Sequence, residues 1–176
     1  MQHLPKHTAT EADQSTIKER LLYKQPNSRM CFLCGLQNPV GLKLAFYDDP
    51  ENQQVHSEFS ISSNYQGYPG VVHGGIVAAI LDETAGRAVM LNGNHDNLFA
   101  TLRLTIRYRH PTPTETKLTA LGWVEKEGQR ATKVAGEIRL PDGTVTAECE
   151  ALLGPVPEDF SAQWEPERPY WKVYDD

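Results

Sequence analysis

The chain has 176 residues, 39% of them hydrophobic and 23% charged, enough for one packed domain and too apolar for wholesale disorder. Seventeen basic against 23 acidic residues leave a net charge of -6, which argues against general nucleic-acid binding, since that draws on Lys and Arg at phosphates. The longest apolar run, Ile76 to Leu81, falls far short of the roughly 20 residues a membrane span needs. Met1 to Lys6 offers no apolar segment of the kind that opens a secretion signal, so a cytoplasmic protein is expected.

In chain order, residues 1–26 read as a helical extension, with Thr8 or Thr10 as cap and Ile17, Leu21 and Leu22 as a thin apolar stripe. Residues 27–154 form the main domain. Two extended runs open it, one through Leu42, Leu44 and Phe46 and one through Val55, Ser57 and Phe59. From about Val72 to Asn92 the chain is apolar most of the way round a helix, which marks a buried one, and Asn92-Gly93-Asn94 ends it. Four more strand-like runs follow, Phe99–Arg109, Thr116–Glu127, Arg130–Leu140 and Thr144–Leu153, separated by Pro- and Gly-containing turns. Short connections imply antiparallel neighbours. The expected fold is α+β: one long central helix wrapped by a curved antiparallel sheet of about six strands, in the order ββαββββ. Residues 155–176 form an acidic tail whose four prolines oppose regular structure and whose aromatics are expected to pack back onto the body.

Gln66 through Gly75 leads into the helix, and amides at a helix start, with the positive end of its dipole, suit an anion or oxyanion. Taken by themselves, the glycines are better explained by a tight loop that merely needs small residues to pack against the sheet. Asp82 stands among apolar neighbours, with Ala78, Ala79, Ala85 and Gly86 on its own face, leaving room beside the carboxylate. The adjacent Glu83 is instead expected to pair with Arg87 on the helix surface, four residues on. Eight residues of helix separate Gly74 from Asp82, about 12 Å. A donor and a base acting on one carbonyl must each lie within about 3.5 Å of it. If both act, they come from different subunits.

From Phe99 to Leu140 eight Lys or Arg face four Glu, a basic segment within an acidic chain. Strict alternation there puts Leu102, Leu104, Ile106 and Tyr108 on one face, and Thr101, Arg103, Thr105, Arg107 and Arg109 on the other. The arginines suit either the phosphates of a nucleotide-bearing substrate or acidic partners within the sheet. Cys31-x-x-Cys34 offers half of a tetrahedral metal set, and the third cysteine, Cys149, is remote in sequence. It reads foremost as a structural turn, ahead of a metal site or a redox dithiol, and no metal is expected.

Several of these segments together carry a family likeness: Cys31-Phe32-Leu33-Cys34-Gly35, Asn38-Pro39-Val40-Gly41-Leu42, His73-Gly74-Gly75, Leu81-Asp82-Glu83, Ala100-Thr101-Leu102 and Arg107-Tyr108-Arg109-His110-Pro111. Over Cys31 to about Gly154 the chain resembles the hotdog-fold acyl-CoA thioesterases of the phenylacetate-degradation type. The resemblance implies hydrolysis of an acyl-CoA thioester in a homodimer or dimer of dimers, with no cofactor beyond the coenzyme A of the substrate. It implies that the Gly74 amide holds the thioester oxygen and that Asp82 of the partner subunit acts as general base or nucleophile. Thr101 would position the water, His73 would orient the loop or cap the helix, and Gly75, Asn64, Gln66, Arg103, Arg107 and Arg109 would contact the substrate. A hydratase on the same fold is less well matched, because no hydratase-type motif surrounds Asp82. A non-catalytic acyl-CoA binder or sensor is the reading from another class.

Overall fold

The computed structural model describes residues 22–96 and 98–175. The helix expected in the N-terminal extension falls outside them. Within that predicted extension, however, Tyr23–Lys24 already forms a strand, β1. Then come β2 (Tyr47–Asp49) and β3 (Gln54–Phe59). A small hairpin, β4 (Gln66–Tyr68) and β5 (Val71–Val72), precedes helix α1 (Gly74–Gly86). Strands β6 (Phe99–Tyr108), β7 (Leu118–Lys126), β8 (Thr132–Arg139) and β9 (Val145–Pro155) match the four expected runs closely. Among the described residues the main sheet has seven strands rather than six, in the order β1-β2-β3-β7-β8-β9-β6, every pair antiparallel. The expected helix wrapped by an antiparallel sheet is therefore observed.

Differences from the sequence reading have local causes. Leu44 and Phe46 are buried, but the ladder begins only at Tyr47, because Leu42 and Leu44 donate their N–H groups to Phe32 and Leu33 of the cysteine turn instead. The long helix starts at Gly74, where the His73 side chain caps it, and gives way after Gly86 to a 3-10 segment, Arg87–Gly93. Asn92 there takes φ 63°, a left-handed value that asparagine tolerates and that stops the helix. The tail is not devoid of regular structure: α2 (Glu158–Trp164) fits into the proline-free gap between Pro157 and Pro166. As expected, the tail returns to the body, with Trp171 packed against the core and its indole N–H donating to His95 O at 3.0 Å.

Helix α1 buries Val77, Ile80, Leu81, Thr84 and Ala85 against the sheet, the stripe that 3.6-residue periodicity predicts. Two glycines seat it. Gly122 and Gly136 lie opposite one another on β7 and β8. A Cβ on Gly122 would come within 2.3 Å of Thr84 O, and one on Gly136 within 2.9 Å of Leu121 O and 3.4 Å of Ala85 Cβ. The helix backbone thus rests on a floor without side chains. Its opposite side, including Ala78, Ala79 and Asp82, is only half-buried.

Candidate active site

The helix start is organised by His73. Its Nδ1 accepts from Gly75 N–H at 3.0 Å, and its carbonyl accepts from Ile76 and Val77 at 2.9 and 3.1 Å. The first helical amide, that of Gly74, takes part in none of these bonds. The Gly75 amide is occupied by the cap, so Gly75 has no N–H to offer a substrate in this arrangement. Tyr108 of β6 lies over Gly74 and donates its hydroxyl to Gly74 O at 2.8 Å. Gly74, His73 and Tyr108 line a cleft of about 810 Å³ together with Tyr68, Val72 and Val77. Of the other predicted loop contacts, Asn64 sits on a 3-10 turn (Ser63–Tyr65), and Gln66 accepts from Gly70 N–H at 3.1 Å. Gly67, rather than either of them, reaches the cleft wall.

Two turns along α1, Asp82 is half-buried and accepts a hydrogen bond from Thr101 Oγ1 at 2.9 Å. Burial pushes its carboxyl above the ordinary aspartate value, Thr101 pulls the other way, and the neighbouring Glu83 charge adds to the rise. The contact with Thr101 corrects the simple alternation. A bulge between Thr101 and Arg103 adds Leu102 to the strand, so Thr101 shifts to the face of Leu104, Ile106 and Tyr108, where α1 lies. Leu102 is turned outward and is 60% exposed. The sequence offers one signal for this: Gly154, across from the bulge, has Leu102 Cδ1 2.7 Å from where a Cβ would stand.

Arg103, Arg107 and Arg109 do share the outer side of the edge strand, but two of them have acidic partners. Arg109 makes a two-pronged ion pair with Glu148 at 2.9 and 2.5 Å, and Arg107 approaches the same carboxylate at 3.7 Å. Arg103 has no acidic partner among the described residues.

Glu83 and Arg87 pair as predicted, at 2.7 Å, but not on the surface: Arg87 is 2% exposed. Its Nη1 donates to Gln25 Oε1 and Pro26 O, and its guanidinium stacks over Phe46 at 4.3 Å and Trp171 at 5.2 Å. The pair touches the cysteine turn. Cys31 hydrogen-bonds the Cys34 sulfur and so lowers the Cys34 thiol to about 6, with the Arg87 charge adding to the effect and burial opposing it; Cys31 is raised in consequence.

One long helix held against an antiparallel sheet, with an amide-bearing start beside a cleft and a carboxylate two turns on, defines a hotdog-fold domain. Residues 69–147 match the family model described as the thioesterase superfamily. The rat acyl-coenzyme A thioesterase THEM4 is 28% identical over 108 residues, covering 61% of this chain and 45% of that protein. Human acyl-coenzyme A thioesterase THEM5 is 33% identical over 76 residues, covering 43% and 30%. Among solved structures, the thioesterase superfamily protein RHA08564 superposes with a TM-score of 0.65 at 31% identity, covering 72% of this chain and 60% of that one. Smu.793 of Streptococcus mutans, solved with acetyl CoA, shares the fold at a TM-score of 0.54 and 17% identity, over 59% and 82% of the two chains. The domain thus has the hotdog fold, its residues 69–147 match the thioesterase superfamily, and the chain spans about half or less of the length of the THEM4 and THEM5 proteins.

Proposed function

We propose that this domain hydrolyses an acyl-coenzyme A thioester in a dimer whose sites each draw on two protomers. The observation that carries the reading is the Thr101–Asp82 hydrogen bond at 2.9 Å on the half-buried side of α1, the helix whose start bears Gly74 and the cleft. Within one protomer the two groups stand about 12 Å apart along the helix. On β6, Asp82 is paired with Thr101 at one end and Gly74 with Tyr108 at the other. Antiparallel pairing of two β6 edges about Leu104–Thr105 would bring Asp82 of one copy toward Gly74 of the other. The half-buried side of α1 would be covered by the same contact.

In such a site the thioester carbonyl points at the Gly74 amide, which takes up the charge of the tetrahedral oxyanion, a role commonly worth about 2.7–4 kcal/mol. Thr101 holds one oxygen of Asp82 and leaves the other to a water. Asp82 removes the proton as that water attacks, and the coenzyme A thiolate departs without needing a strong acid. His73 shapes the helix start. Arg103 remains for a coenzyme A phosphate.

Asp82→Asn keeps the shape and removes the base. Hydrolysis across a panel of acyl-CoAs is expected to fall by about 10²–10⁴-fold while ligand binding persists. Full activity in this variant would refute the assignment. Micromolar acyl-CoA binding without turnover by the unaltered protein would leave the binder reading instead. Attack by Asp82 itself, through an anhydride, would be revealed by solvent ¹⁸O appearing in the aspartate after a single turnover.

A further inference from the structure

The cysteine turn and helix α1 meet at a cluster for which hydrolysis has no use. Cys31 Sγ, Cys34 Sγ and a carboxylate oxygen of Glu83 all lie within 4.8 Å of one another. We propose that Cys31, Cys34 and Glu83 bind a thiophilic divalent cation, zinc by class, with water in the fourth position. Two thiolates and a carboxylate are donors that zinc takes in tetrahedral sites, and three protein ligands with an open fourth position is a recurrent arrangement.

The donors are held in place before any ion arrives. Cys31 N–H donates to Ser28 Oγ at 3.1 Å, Leu33 N–H points at Cys31 Sγ at 3.3 Å, and Gly35 N–H closes the turn on Cys31 O at 2.8 Å. Gly35 itself is obligatory, because a Cβ there would stand 2.3 Å from Cys31 O. Asn27 clamps the far side, donating to Cys34 O at 2.8 Å and Leu44 O at 3.0 Å. The third donor is oriented by Arg87, whose Nε binds Glu83 Oε1 at 2.7 Å and leaves the other carboxylate oxygen available.

Charge supplies a second, independent argument. Arg87 is fully buried, and among the described residues its Nη2 has no nitrogen or oxygen acceptor. The positive charge of that guanidinium lies beside the Cys34 sulfur. A bound dication displaces the two thiol protons, and the three negative charges of its ligands then balance the charges of the ion and Arg87. Cys34 is buried, whereas Cys31 and Glu83 are half-buried, so an ion has a side from which to enter.

The test uses the full chain, untagged, reduced and freed of metal, and needs no substrate. Cobalt titration is expected to saturate at one equivalent with an intense sulfur-to-cobalt charge-transfer band, which histidine or carboxylate sites cannot give, and zinc should displace it. Cys31→Ser and Cys34→Ser should lose the band and weaken zinc by more than about tenfold. Glu83→Gln should keep the band and weaken zinc by about tenfold. Circular dichroism identifies a variant that fails to fold, in which event the unaltered protein's own titration decides. No charge-transfer band in the unaltered protein, or an equal band in folded Cys34→Ser, overturns the site. So does reduced protein that takes up no zinc yet closes a Cys31–Cys34 disulfide under peroxide. Because the readout is metal uptake, its failure and a failure of the thioesterase reading are separate results.

Discussion

Asp82 and Thr101 show how much a single hydrogen bond sets. Burial raises the Asp82 carboxyl and the Thr101 hydroxyl opposes that rise, so the aspartate must be ionised against a partly apolar surrounding. A base in this state works above its raised pKa and is lost as pH falls through it. The acid limb of kcat/KM is therefore expected above the ordinary aspartate value of about 3.9. Thr101→Val removes the hydrogen bond that opposes this rise, so the limb should move to still higher pH, and pH–rate profiles of the two proteins measure the displacement. A limb that moves down, or stays, would separate Thr101 from the ionisation of Asp82.

Helix α1 depends on what lies under it and beyond its end. At Gly122 the helix backbone occupies the space of a side chain, since a Cβ would meet Thr84 O at 2.3 Å. Gly122→Ala is expected to lift the helix and cost about 1–3 kcal/mol, the usual range for overpacking, seen as a lower midpoint in denaturant. Arg87, just past the helix, ties it to the segment after β1 through Gln25 and Pro26, to Phe46 before β2 and to the tail through Trp171, and it pairs with Glu83 of the helix itself. Arg87→Met leaves Glu83 without its buried counter-charge, and a loss of about 3–5 kcal/mol is expected. Calorimetry of both variants checks the two figures, and an unchanged melting temperature in either would contradict the packing described.

At the scale of the molecule, β6 is the open edge of the sheet and runs ten residues with Leu102 and Tyr108 exposed at 60% and 54%. Long open edges invite pairing with another strand. Beside it, the half-buried side of α1 still carries Ala78 and Ala79. If two copies close both surfaces and complete the site, specific activity should fall on dilution along the same curve as the dimer fraction measured by light scattering. Activity that is independent of concentration while the dimer dissociates would place the whole site in one protomer.

The order of elements, the buried helix and the four long strands were legible because each depends on local periodicity: 3.6 residues for Val77, Ile80, Leu81 and Ala85, and two for the strands. Gly74, His73 and Asp82 stood out for the same reason, as glycines, a cap and a carboxylate whose helical neighbours are visible in the chain. What periodicity could not reveal were contacts between distant segments. The bulge at Leu102, which turns Thr101 toward Asp82, depends on β9 across the ladder. The burial of Arg87 depends on residues 61 and 62 positions away and on a tail aromatic. The third donor beside Cys31 and Cys34 comes from the middle of α1. Sequence alone determined the central helix, the four long strands and the candidate residues they carry, since these follow from neighbours along the chain. Only the tertiary structure decided which of those residues meet, because that is set by how the strands register and where the helix comes to rest on its glycine floor.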